Sequence, residues 1–239
     1  MLRGNPGAQL AGVLSDWAGP CLFAPALPAM GRTTRGGVQR WPGGDHAIAP
    51  LLASAGRPVQ QGGIEDLTPG RITIADAETE AELAELAMAV APRTDVLPVG
   101  TAGLAGHLPA ALGMAGQPRG RIWRQSASPV AVVGSRAATR QAEVAERRGW
   151  RVLRLAPDDR PPALDGHDGL LLTGGETAVR VLRSIHASGL ELVGLAAPLM
   201  PIATVVGGPR HGLPVVLKAG AFGGPDAIER GLAKLRWGA

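Results

Sequence analysis

The pattern that most narrows the fold recurs along the chain: a short aliphatic run, a glycine turn, then apolar residues at helical spacing. Residues 170–182, LLLTGGETAVRVL, carry it most clearly. Leu170, Leu171 and Leu172 read as a short buried strand, and Ala178, Val181, Leu182 and Ile185 fall at i, i+3, i+4 and i+7 on one helix face. Gly174 and Gly175 therefore occupy a strand-to-helix turn. Such a turn aims unpaired backbone N–H groups and the positive end of a helix dipole forward, an arrangement that favours an anion such as phosphate. The plainer reading is that two glycines only make the turn tight.

The same unit appears elsewhere. RITIADAETEAELAELAMAV gives a strand from Ile72 to Ala75 and a helix whose Thr79 and Glu82 have capping-box spacing, with Leu83, Leu86, Ala87 and Val90 as its apolar stripe. DVLPVGTAGLAGHLPAAL repeats strand, glycine turn and helix. In the second half, VAVV runs into Gly134-Ser135 and a helix ending near Gly149, followed by a strand at 151–155. LPVVLK runs into glycines and a helix with Pro225 in its first turn. Alternating strands and helices predict parallel α/β sheets, in which ligands bind along the carboxyl edge of the strands. Upstream, Leu10, Val13, Leu14 and Trp17 share a helical face after Pro6, and CLFA reads as a short strand. Residues 36–70 lack periodicity and predict a long loop or partly ordered excursion, and residues 114–127 make the best linker.

Composition removes several classes of function. The 239 residues allow one or two domains with a real core. With no Tyr and two Phe, the chain lacks the aromatic platforms that single-stranded nucleic acid stacks on. The net charge of +4 is spread along the chain, which suits a small anionic ligand and not DNA. Cys21 is the only cysteine; it excludes an internal disulfide and reads, beside Leu22 and Phe23, as a buried thiol. No apolar run approaches the ~18 residues of a membrane span, so the expected compartment is the cytoplasm and no membrane partner is expected. His46, His107, His167, His186 and His211 are scattered without ligand spacing, and neither GxxxxGK[ST] nor a strand-following GxGxxG occurs.

Three turns, VVGS, TGGET and KAGAFGG, could converge on one nucleotide if their strands are neighbours. The chemistry fits phosphoryl transfer, which relies on positioning and charge neutralisation. Backbone N–H groups at Gly174, Gly175 and Gly220 could hold phosphate oxygens, and Lys218, one of only two lysines with Lys234, could supply a point charge. Glu176 could hold Mg2+ directly or through water. Lys218 could equally be a solvated strand-end lysine, and Glu176 a first-turn residue placed for the dipole.

Six segments taken in order, LRGNPGAQL, APALPAMGRTTRGG, PVGTAGLAGHL, VVGS, LLLTGGETAVRVL and GGPRHGLPVVLKAGAFGGPDAI, resemble the four-carbon acid sugar kinases, which phosphorylate threonate, erythronate or 3-oxo-tetronate with ATP. The resemblance implies an α/β chain of two domains, with mostly parallel sheets flanked by helices and both incomplete against the family pattern. These would be the remainder of an acid-sugar-binding domain over 1–118 and a nucleotide-binding domain over 128–239. By motif, Ser135 resembles the family's nucleotide-binding serine. Gly174, Gly175, Glu176 and Thr177 resemble its GGET nucleotide loop, and Gly220 and Gly223 match the final KxGxFG that Lys218 opens. Arg3 and Asn5 correspond to part of the substrate segment, and Arg32 with Thr33 to another family loop. The implied ligands are ATP with Mg2+ and a small sugar acid. The family's early DDxTG-type motif and the lysine-aspartate-serine-threonine run before LRGN are absent, Met1 falling inside the second. The stretch from Ser135 to Gly174 is shorter than the family's, with RAATRQ in place of a serine-rich pattern. The expectation is thus a sugar-acid kinase with its catalytic base, preferred acid and oligomeric state unassigned. The alternative is a truncated remnant that binds nucleotide or anion without catalysis; an unrelated α/β binding protein would need six coincident motifs.

Overall fold

The computed structural model describes residues 5–41, 43–114, 123–220 and 222–238. The chain divides into two units, Met1–Gln117 and Pro118–Ala239. Much of the predicted linker, residues 115–122, lies outside the described residues.

In the first unit, helix α1 (Pro6–Leu14) begins at Asn5, whose side-chain oxygen accepts from Ala8 N at 3.0 Å, with Pro6 in the turn where its missing N–H is harmless. Leu10 and Leu14 are buried, but Val13 is exposed and Trp17 lies beyond the helix end, so the expected four-residue stripe narrows to two. Strand β1 (Cys21–Ala24) is wholly buried. Next come three short strands, β2 (Thr33–Arg35), β3 (Val38–Trp41) and β4 (Gly44–Ala47), paired antiparallel in that order. A 3-10 helix (Ala49–Ala55) and β5 (Val59–Gln61) follow. The expectation of a long loop or partly ordered excursion over 36–70 thus understates the order, since short strands and 3-10 turns occupy much of it. The small sheet buries only Thr34 and Gln39 among its strand residues, so it has no alternation to read. It is fastened by backbone bonds between Thr34 and Ala77 and by the Asp76 carboxylate, which accepts from Gly36 N (2.5 Å) and Gly37 N (3.1 Å).

Strand β6 (Ile72–Ile74) leads to α2 (Glu80–Val90), where the Thr79–Glu82 capping box forms and Leu83, Ala87 and Val90 are buried. Strand β7 (Leu97–Gly100) and α3 (Ala102–Ala111) complete the unit. The parallel sheet runs β5-β6-β1-β7. Leu22 and Ala24 pack with α2 and α3 on one face, while Cys21, Phe23, Ile72 and Ile74 pack with α1 and the 3-10 helix on the other.

The second unit comprises β8 (Pro129–Val133), α4 (Thr139–Arg147), β9 (Arg151–Arg154), β10 (Gly169–Thr173), α5 (Gly175–Ser184), β11 (Gly189–Ala197), β12 (Met200–Val206), β13 (Pro214–Lys218) and α6 (Ala227–Trp237). The sheet order is β11-β12-β13-β10-β8-β9; β13, β10, β8 and β9 are parallel, and β12 and β11 extend the sheet as an antiparallel hairpin. Every residue of β8 and β10 is buried. Ala131, Val133 and Leu171 face α4 and α6, and Val130, Val132, Leu170 and Leu172 face α5. This two-sided cover explains why these strands read as unbroken aliphatic runs. Burying each such Leu or Val contributes about 1.5–3 kcal/mol.

Candidate nucleotide site

The four parallel strands of the second unit end level with one another. Thr173 is in register with both Lys218 and Val133, and Val133 with Arg154. The three glycine turns consequently leave adjacent strands on one carboxyl edge, and the middle turn touches both neighbours. Gly174 N donates to Lys218 O at 2.9 Å on one side. On the other side, a Cβ built on Gly174 would stand 3.9 Å from Ser135 Cβ.

Gly174 has φ +87°, a conformation that side chains rarely adopt, and it caps α5 without any side-chain bond to the helix N–H groups. The first N–H groups of α5 are thus left for a ligand. Gly175 is the first helical residue, and a Cβ there would meet nothing within 4 Å, so the approach to these groups is open. Glu176 is exposed in the first turn. Thr177 is 6% exposed with its Oγ1 lodged against Gly134, where a Cβ would also stand 3.1 Å from Leu155 O; this threonine packs the turns together. Ser135 follows β8 and its side chain caps nothing, leaving the hydroxyl available. Beside it lies an open cleft of about 450 Å³ lined by Ser135, Arg136, Thr139, Arg154, Leu155 and Pro157, among others.

The third turn departs from expectation. Lys218 is 2% exposed, and its ammonium donates to Gly220 O (2.5 Å) and Ala219 O (3.4 Å). Burial pulls its pKa down from 10.5 to about 8. It is not a strand-end cation facing solvent: the loop folds back over it and the loop's own carbonyls accept hydrogen bonds from the ammonium. The continuation of the loop is held by a residue that sequence reasoning missed. Gln141, 6% exposed on α4, directs Nε2 at the carbonyls of Phe222 (3.2 Å), Gly223 (2.9 Å) and Gly224 (3.0 Å). Its position one turn before the buried Ala145 was the available signal, since a polar side chain on a buried stripe needs partners. Gly223 has φ +87° and a Cβ there would stand 2.7 Å from Ala227 Cβ, so its backbone and its packing both require glycine. Arg180 of α5 was missed as well; Nη1 donates to Ala156 O at 3.0 Å and Nη2 to Asp159 O, fastening the segment after β9.

In the first unit, Arg3 lies outside the described residues. The Asn5 side chain is committed to the start of α1, accepting from Ala8 N and from Ser54 Oγ, each at 3.0 Å. Arg32 lies over the Trp41 ring, 5.7 Å from its centroid. A small cleft of about 290 Å³ opens at the carboxyl ends of β1 and β7, lined by Gln9, Leu10, Phe23, Val99, Gly100 and Thr101 among others. Cys21 is fully buried, and burial pushes its thiol up to about 11, which makes it an inert core group. Among the described residues there is no group of three His, Cys, Asp or Glu side chains that could hold a metal, and no helix long and apolar enough to cross a membrane.

Residues 160–228 match the family described as a nucleotide-binding C-terminal domain, a span that contains the second and third turns. A D-threonate kinase of Bordetella bronchiseptica is 29% identical over 310 aligned positions, covering 98% of this chain and 76% of that protein. A D-erythronate kinase of Heliobacterium modesticaldum is 36% identical over 59 residues, 25% of this chain and 13% of that one. A solved Haemophilus influenzae protein of the DUF1537 family shares the fold, with a TM-score of 0.57 at 17% identity, over 90% of this chain and 74% of that one. The chain is thus similar over nearly its whole length to a D-threonate kinase, and its second unit carries the match to a nucleotide-binding C-terminal domain.

Proposed function

We propose that this protein transfers the γ-phosphate of ATP to the terminal (4-) hydroxyl of a four-carbon sugar acid such as threonate, erythronate or 3-oxo-tetronate. One observation carries the reading: three glycine turns stand side by side on one sheet edge, with the uncapped start of α5 open at Gly175 between them. The N–H groups of that helix start donate to phosphate oxygens, which no side chain can crowd at Gly174 or Gly175. Ser135 bonds the nucleotide from the β8 side, and Gly220 and Gly223 bring the third loop's backbone against it. Magnesium, carried on the phosphates, would neutralise charge during transfer, and Glu176 is the carboxylate at the turn able to hold it directly or through water. The sugar acid belongs to the first unit, where the family pattern assigns Arg3, Asn5 and Arg32. The Asn5 side chain itself is committed to the start of α1, which lines the cleft at the ends of β1 and β7.

The test is ATP consumption by the purified chain with each of the three acids in turn, beside calorimetric titration of ATP-Mg. Turnover that depends on one acid, and that Gly175→Val abolishes together with ATP binding, is the expected result, because valine fills the open space before α5. Tight ATP binding with no turnover on any acid would instead make the chain a nucleotide-binding remnant.

A further inference from the structure

A nucleotide's phosphate chain brings several negative charges to the sheet edge, and backbone N–H groups bring only partial charges to meet them. A cation is needed, and the obvious one is already engaged. Lys218 is buried with its ammonium on the carbonyls of Ala219 and Gly220. Arg154 is paired with Glu146 at 2.9 Å. Arg180 is tied to the carbonyls of Ala156 and Asp159. Arg140, one turn further along α4, is exposed but does not line the cleft. Arg136 remains. It directly follows Ser135, the neighbour of Gly174, is exposed, and lines the 450 Å³ cleft at the ends of β8 and β9. Among the described residues its guanidinium makes neither a hydrogen bond nor an ion pair.

We infer that Arg136 is the phosphate-binding cation of the nucleotide site, taking the role that the position of Lys218 in the sequence implies. This rests on the kinase reading above. A guanidinium suits the task because its planar fork bonds two phosphate oxygens at once and keeps its charge at any working pH. The 3-10 turn Arg136–Ala138 fixes the start of the side chain, since Ala138 N donates to Ser135 O at 3.0 Å and Ala138 is fully buried. Lys218 then holds the third loop in shape from below while Arg136 meets the ligand from the cleft.

The experiment is calorimetric titration of the full chain with ATP-Mg and with adenosine, for the native protein, Arg136→Ala, Arg136→Lys and Arg140→Ala. Arg136→Ala should weaken ATP binding by about tenfold or more, as loss of charge-assisted bonds does, while leaving adenosine affinity unchanged. Unchanged adenosine affinity also reports an intact fold. Arg136→Lys should retain part of the ATP affinity, Arg140→Ala all of it, and the salt dependence of ATP binding should flatten in Arg136→Ala alone. Equal ATP affinity in native and Arg136→Ala would overturn the assignment and leave the kinase reading standing. Equal weakening of ATP and adenosine would also overturn it, placing the arginine against the nucleoside. A native chain that binds no ATP would remove the kinase reading, and this assignment with it.

Discussion

Lys218 illustrates the limit of reading single residues. A lysine beside glycines at a strand end reads as a cation offered to a ligand, but which way the ammonium turns depends on where the following loop closes, and no local pattern encodes that. The glycines were legible for the opposite reason: φ +87° at Gly174 and Gly223 is a property of one residue's backbone, and glycine supplies it cheaply. The buried lysine has a measurable consequence. Its pKa falls from 10.5 to about 8 on folding, so between those values the unfolded chain holds a proton that the folded chain has released. Stability therefore rises with pH through this window, and the cost of burying the charge is fully present only below pH 8. Against Lys218→Met, which cannot titrate, the native protein should gain about 2–3 kcal/mol of unfolding free energy between pH 7.5 and 10.5. Urea melts of both proteins across that range measure it; parallel pH profiles would mean that the ammonium is not desolvated.

Elements with one strong period were legible and those without were not. Helix α2 declared itself through its capping box and the Leu83, Ala87 and Val90 stripe, and β8 and β10 through unbroken aliphatic runs. The strands β2, β3 and β4 are polar and largely uncovered. The hairpin of β11 and β12 leaves Leu192 and Leu195 exposed and breaks its register twice, so neither signals a strand by alternation. The tie between α4 and the third glycine loop is the element-level feature most relevant to the site. Replacing Gln141 with Leu keeps the side chain's bulk and strips the carbonyls of Phe222, Gly223 and Gly224 of their shared donor. The expected cost is about 0.5–1.5 kcal/mol of stability, the net contribution of a part-buried hydrogen bond, because residues 222–224 are not fully buried. ATP affinity should fall in the same variant while sugar-acid affinity is kept, a pair of titrations that separates loop disorder from general unfolding.

At the scale of the whole chain, each unit has its own sheet and two cores of its own, one on each sheet face. The unit division sits where the sequence loses its pattern, yet the division of labour between the units is a matter of ligands and has to be read by adding them. A ligand stabilises the native state it binds, by about 2.7 kcal/mol at a hundredfold excess over Kd. ATP-Mg should therefore slow amide exchange across residues 174–178 and 219–224, and through the buried strands β10 and β13 behind them, with the largest effect at Gly175 and Glu176. A sugar acid added alone should act within residues 5–114, at the β1 and β7 ends first. Exchange slowed by ATP around Phe23, Val99 and Gly100, with the GGET turn unaffected, would reverse the assignment of nucleotide to the second unit, because a ligand protects most strongly the amides it touches.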